Sequence, residues 1–232
     1  MSRIVTSGFE IYSSASGATD TVALQEVGAP DGYIAFTPTV FARDTTHQRS
    51  GNACLALTNP SSGTGNWTRW PLTVLTGDHT YYLRFYLRIG VATNSTLNPI
   101  ATIGLTDGGV YLDTASKVYS PNDTVNRSPA LNDGAYHRIE MMSKFSTTQA
   151  NRAWELRVDG TTISSGTNMS GVNSSLPAYI QVGSSGVATT TLYFDDIVLN
   201  DDQGTSYNTW PGDSKIVLMT PVAHGGRVLR PE

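Results

Sequence analysis

Lysine is almost missing from this chain: only Lys117, Lys144 and Lys215 occur among 232 residues. Cysteine is reduced to Cys54, so no intrachain disulfide can form. Cys54 lies in the apolar run Ala53-Cys54-Leu55-Ala56-Leu57 and reads as a small core residue rather than a nucleophile. No apolar run approaches the ~18 residues of a membrane-spanning helix, so no membrane partner is expected. Charged residues make up 15% of the chain and the net charge is −4, which argues against a nucleic-acid surface. A hydrophobic content of 39% argues against disorder. Long amphipathic helical stretches are also missing, which disfavours a parallel βαβ fold. The opening Met1-Ser2-Arg3-Ile4-Val5 has no apolar core followed by a cleavage site. The expectation is therefore a protein made in a cytoplasm and not secreted by that route. Six Asn-X-Ser/Thr sites, from Asn66 to Asn173, read as chance in so Ser/Thr-rich a chain.

What is present is a succession of β-formers between turn residues. Residues 3–12 make a first strand candidate, and residues 53–58 follow the turn Ser50-Gly51-Asn52. Residues 80–89 form the strongest strand pattern. Tyr82, Arg84, Tyr86 and Arg88 alternate there with Tyr81, Leu83, Phe85, Leu87 and Ile89. That is period two with one buried face. A hairpin is expected around Asp107-Gly108, and another where residues 153–158 meet 161–164 across Asp159-Gly160. Residues 136–145 alternate again, 117–133 read as a long polar connection, and 179–182 and 190–199 complete the strands. About ten to thirteen short strands fit an all-β, two-sheet antiparallel β-sandwich of the lectin-like jelly-roll type. The texture changes after Asp202. Residues 1–202 are expected to form the jelly-roll domain. Residues 203–232, with Pro211, Pro221, Pro231 and Gly225-Gly226, read as an extended C-terminal arm too short to bury a core.

The string Tyr193-Phe194-Asp195-Asp196-Ile197-Val198-Leu199 puts adjacent carboxylates inside an apolar strand. Strand alternation predicts that Asp195 and Asp196 point to opposite faces. At least one would then need a metal, a donor cluster or water, because a bare buried charge is costly.

Several segments carry a resemblance. Tyr136-His137-Arg138-Ile139-Glu140, then Trp154-Glu155-Leu156-Arg157-Val158-Asp159-Gly160, and Phe194-Asp195-Asp196-Ile197-Val198-Leu199 together resemble concanavalin A-like (laminin-G-like) jelly rolls. Ser7-Gly8-Phe9-Glu10 resembles their first strand, which commonly lies beside the last. Residues 195–201 followed by Asn208-Thr209-Trp210-Pro211-Gly212-Asp213 look like lectin-like modules of tailed-bacteriophage virion proteins. That resemblance implies a structural virion component: a head decoration, tail or fibre protein assembled in the host cytoplasm. Its partners would be copies of itself and other virion proteins. Tyr207, Trp210 and the strand-like Lys215-Ile216-Val217-Leu218 would form the assembly arm, adding a strand to a neighbour's sheet. A second similarity is to carbohydrate-binding modules, through Ser50-Gly51-Asn52-Ala53-Cys54-Leu55 and Asp195-Asp196. It implies a structural calcium between first and last strands, for which Glu10, one of Asp195 or Asp196, and Asn52 or the Gly51 carbonyl could supply oxygens. The alternative is that Glu10 and the aspartates bond backbone amides or an arginine at a sheet edge.

Glycan binding, the alternative function, needs exposed aromatics with polar neighbours. Trp67, Arg69 and Trp70, and the Tyr82, Arg84, Tyr86 face, are the candidates. Trp154 reads as core, and His137 as a hydrogen-bonded interior residue. Glycoside hydrolysis needs paired carboxylates. The Glu-x-Asp-x-x-Glu string of lectin-fold glucanases is absent, and Glu140 and Glu155 read as outward partners of Arg138 and Arg157. The sequence-based expectation is therefore that the protein is not an enzyme.

Overall fold

The structure is a computed structural model. It describes residues 3–7, 41–51, 53–58, 66–72, 77–90, 98–104, 109–170, 174–184, 191–203 and 209–213. These residues form strands β1 (Arg3–Ser7), β2 (Phe41–Asp44), β3 (Cys54–Leu57), β4 (Asn66–Pro71), β5 (His79–Ile89), β6 (Asn98–Ile103) and β7 (Gly109–Leu112). They continue through β8 (Val118–Tyr119), β9 (His137–Phe145), β10 (Ala153–Val158), β11 (Thr161–Thr167), β12 (Tyr179–Ser184) and β13 (Leu192–Asp201). A 3-10 turn, Gln149–Asn151, precedes β10.

All strand pairings are antiparallel. The larger sheet runs β11-β10-β9-β5-β13-β3-β2, with β1 also paired to β13, making eight strands. The smaller, five-stranded sheet runs β4-β12-β6-β7-β8. The two-sheet antiparallel sandwich expected from the sequence is therefore the fold. First and last strands lie side by side, as the jelly-roll resemblance implied.

The core forms because one side-chain set of each strand is apolar and must be covered. Leu83, Phe85 and Leu87 of β5 and Leu192, Phe194 and Ile197 of β13 lie in it with Ile100, Ile103, Ile180 and Val182 of the smaller sheet. Trp154 joins the same cluster, as expected, and Cys54 is buried. The β10–β11 hairpin turns at Asp159-Gly160, both with positive φ (51° and 84°), the geometry that tight two-residue turns require.

The connection before β9 is polar but ordered. Asp113 accepts backbone N–H bonds from Ala115 and Lys117 and an ion pair from Arg127 (2.5 Å). Ser128 Oγ accepts the Val118 N–H at 2.9 Å. These bonds seat the two-residue strand β8 inside a stretch whose composition suggested only a loop. The Asp107-Gly108 hairpin lies outside the described residues, although the strands that would flank it, β6 and β7, do pair.

Candidate functional site

The amphipathic set of β5 faces away from the core and meets matching sets on its neighbours. In register, Arg84 sits opposite Glu140 of β9, and Glu140 opposite Arg157 of β10. On the other side Arg84 is opposite Val198 of β13. The next rows pair Tyr82 with Met142 and Asn200, and Tyr86 with Arg138 and Asp195. Alternating charge signs across adjacent strands are the favourable arrangement for a sheet face. Glu140 and Glu155 do pair with Arg138 (3.2 Å) and Arg157 (2.7 Å), as the sequence suggested. Glu140 is nevertheless buried, not outward in the sense of solvent-facing.

Asp195 and Asp196 break the alternation. Asp195 pairs with Tyr86 but Val198 with Arg84, so β13 carries one extra residue. Asp196 absorbs it with φ of +48°, a left-handed conformation that Asp tolerates better than most residues. The bulge sits where β13 exchanges neighbours: β3 pairs residues 192–194 and β1 pairs 197–200. The loop before β3 fills the gap. Asp195 Oδ2 accepts the Arg49 N–H (2.9 Å) and the Ser50 N–H (3.3 Å), and Asp195 Oδ1 accepts the Asp196 N–H (2.7 Å). Asp196 Oδ1 accepts the Ser50 hydroxyl at 2.7 Å, and Asp196 Oδ2 accepts the Arg49 guanidinium. Both carboxylates thus meet the same loop, and the expectation that they point to opposite faces is corrected by the bulge. Burial, helped by the charge of Asp196 beside it, pushes the Asp195 carboxyl up to about 7 despite its backbone donors.

Residues 209–213 lie over this network. Trp210 stands edge-on to Tyr82 (5.4 Å between centroids) and under the Arg157 guanidinium (4.0 Å). Asn200 Nδ2 donates to the Thr209 carbonyl at 2.8 Å, and Arg84 Nη1 to the Gly212 carbonyl at 2.7 Å. Arg84 also donates to the Asp196 carbonyl through Nη2 at 3.0 Å. Asp213 Oδ1 accepts Arg49 Nη2 at 2.5 Å and the Tyr86 hydroxyl. The Arg49 guanidinium also stacks on the Tyr86 ring at 3.4 Å. Burial and the bond to Asp213 push the Tyr86 phenol up to about 12, and that same bond holds the Asp213 carboxyl below its ordinary range.

The expected sugar-stacking residues do not form one open platform. Trp67 and Trp70 are 5% and 3% exposed, too little for a stacked ring, and Trp70 belongs to the core. The side chain of Arg69 lies outside the described residues. Arg84 is fully buried and Tyr86 is 4% exposed, both under Arg49 and residues 209–213. Tyr82 stays partly open. Arg88 of the expected face lies beside half-buried Tyr193 (5.9 Å), together with His47 (4.5 Å), and neither His47 nor Arg49 was marked by any pattern in the sequence. His137 is hydrogen-bonded as expected, but at the rim: Asp159 (2.8 Å) and Asp133 (3.0 Å) hold its ring.

Each of the four carboxylate oxygens of the aspartate pair accepts an N–H or O–H hydrogen, the backbone-amide and arginine bonding that the sequence offered as the alternative to calcium. Among the described residues no group of three or more His, Cys, Asp or Glu is placed to hold a metal. Glu10 and Asn52 lie outside the described residues, as do Tyr207, Lys215, Ile216, Val217 and Leu218 of the expected arm.

No family model matches the sequence, and no curated protein matches it. Solved structures do share its fold. An endo-1,3-β-glucanase from Streptomyces sioyaensis superposes with a TM-score of 0.53 at 13% identity, over 86% of this chain and 96% of the other. An endo-β-1,4-glucuronan lyase from the fungus Trichoderma reesei gives 0.50 at 11% identity, over 72% and 90%. A structure of botulinum neurotoxin type C, described as entering cells through two ganglioside molecules, gives 0.51 at 7% identity. There the match covers 86% of this chain and 47% of the neurotoxin chain. At these identities the likeness is one of fold, consistent with the concanavalin A-like assignment.

The expectation that the protein is not an enzyme is corrected by these neighbours, because a glucanase and a lyase are built on this same sandwich. The absence of Glu-x-Asp-x-x-Glu was a weak ground for it. A sheet face gathers its groups from several strands, as Tyr82, Glu140, Arg157 and Asp195 show here, and no local string records that gathering.

Proposed function

We propose that this chain is a polysaccharide-directed protein that engages glycan across the outer face of its larger sheet. The observation that carries the reading is the set of half-exposed rings on that face with guanidinium groups at hand: Tyr193 beside Arg88, and Tyr82, with Arg157 across the Trp210 ring from it. A flat ring edged by hydrogen-bond donors suits a sugar, which has an apolar C–H face and a hydroxyl rim. The glucanase and lyase that share the fold act on polysaccharides, which supports the same reading. Cleavage of the bound chain is the second reading, favoured by those same two neighbours. A glycan array followed by product analysis tests both. Binding that weakens in Tyr193→Ala or Arg157→Ala variants supports the first, and new reducing ends or unsaturated products support the second. A folded protein that retains no glycan sinks both.

The narrower reading, a virion component that assembles through its C-terminal arm, rests on motif resemblance. The structures named above give it no support. Trp210, assigned by that reading to assembly, packs on its own sheet.

A further inference from the structure

The contacts of residues 209–213 have the form of a ligand bound in place. Asp213 reaches in from the surface, with its side chain 63% exposed. The groups that receive its carboxylate are covered: Arg49, with its side chain 13% exposed, and Tyr86, at 4%. Buried donors aimed at a carboxylate that arrives from solvent make a cradle whose occupant can be exchanged. The rest of the segment adds one ring and two carbonyls. Trp210 lies against Tyr82 and Arg157, Thr209 O takes Asn200, and Gly212 O takes Arg84. Beside Arg84 in the register, Glu140 Oε1 is buried without a hydrogen-bond partner. It is an acceptor open to a hydroxyl.

We propose that this face is a binding site for an acidic polysaccharide and that residues 209–213 are its built-in occupant, with Asp213 standing where a uronate carboxylate binds. A uronic acid residue offers the same chemistry as the segment. Its C–H face suits Tyr82 and Arg157, its ring and hydroxyl oxygens suit Asn200 and Arg84, and one hydroxyl suits Glu140. Its carboxylate suits Arg49 and Tyr86, where guanidinium and phenol donate charge-assisted bonds. A neutral glucan matches all of this except the carboxylate. The inference rests on the polysaccharide reading above and narrows it to a charge class and a gate. Because the occupant must leave before a ligand enters, the segment lowers the apparent affinity of the full chain by the fraction of time the face is open.

The test uses the full chain as wild type, as Trp210→Ala/Asp213→Asn, and as that double variant carrying Tyr86→Phe. Circular dichroism and urea midpoints confirm that each is folded. Calorimetric titration with polyglucuronate and with neutral β-1,3-glucan gives the affinities. The expected result is that the double variant binds polyglucuronate about tenfold more tightly than wild type, as for a face closed about nine-tenths of the time. Neutral glucan that uses the same face gains by the same factor, so the charge class is read within the double variant: it should bind polyglucuronate about tenfold more tightly than neutral glucan, a preference that adding Tyr86→Phe should largely remove. In the wild type, polyglucuronate should shift tryptophan emission to the red as Trp210 leaves Tyr82. Equal affinity of wild type and double variant for polyglucuronate overturns the gate. Equal affinity of the double variant for the two polymers overturns the charge class while leaving the polysaccharide reading intact. Binding of neither polymer by any folded variant overturns both.

Discussion

Asp195 shows how one residue can dominate the pH response of the whole face. It is fully buried, beside Asp196, and its carboxyl is pushed from 3.8 up to about 7. Between those values the folded chain holds a proton that the unfolded chain has released. Stability must therefore fall as pH rises through that window and level off above it. The full difference corresponds to about 4 kcal/mol. An Asp195→Asn variant carries no such proton, so its urea midpoint should fall less than the wild type's between about pH 5 and pH 8. His137, held above its ordinary range by Asp159 and Asp133 against the pull of burial, titrates in both proteins and cancels in the comparison. Parallel curves for the two proteins would rule out the assignment to Asp195.

At the scale of elements, the alternation of β5 and the Asp159-Gly160 turn were legible because each is a short-range pattern. Leu83, Phe85 and Leu87 can be covered only if their face is sealed, and the turn needs positive φ at both positions. The turn gives a direct check. Gly160 has φ of +84°, and an added Cβ would stand 2.8 Å from the end of the Arg138 side chain, which can move. The cost of Gly160→Ala is then mainly backbone strain, about 1–2 kcal/mol, read as a lower urea midpoint. A neutral result would mean that the hairpin closes by another turn. The bulge of β13 was not legible. Asp195-Asp196 reads as ordinary alternation, and only the exchange of β3 for β1 along the strand edge makes an extra residue necessary. Arg49 was missed for a related reason. It stands in an unremarkable loop, and its role comes from a contact with a strand 147 residues further along the chain.

For the whole molecule, the candidate site is a property of the sheet rather than of any motif. Its charges arrive from β5, β9, β10 and β13, from the loop before β3, and from residues 209–213. Arginines Arg49, Arg84, Arg88, Arg138 and Arg157 share the face with Lys144 of β9, and the planar, weakly hydrated heads of Arg49 and Arg157 stack on Tyr86 and Trp210 while donating hydrogen bonds. The central claim is that polysaccharide lies across this face, and hydrogen–deuterium exchange with a bound acidic polysaccharide tests it most directly. The predicted result is slower exchange in β5, β9 and β10, together with an altered rate at residues 209–213 as they leave the sheet. Protection confined to the five-stranded sheet, or an unchanged pattern at saturating polysaccharide, would contradict it.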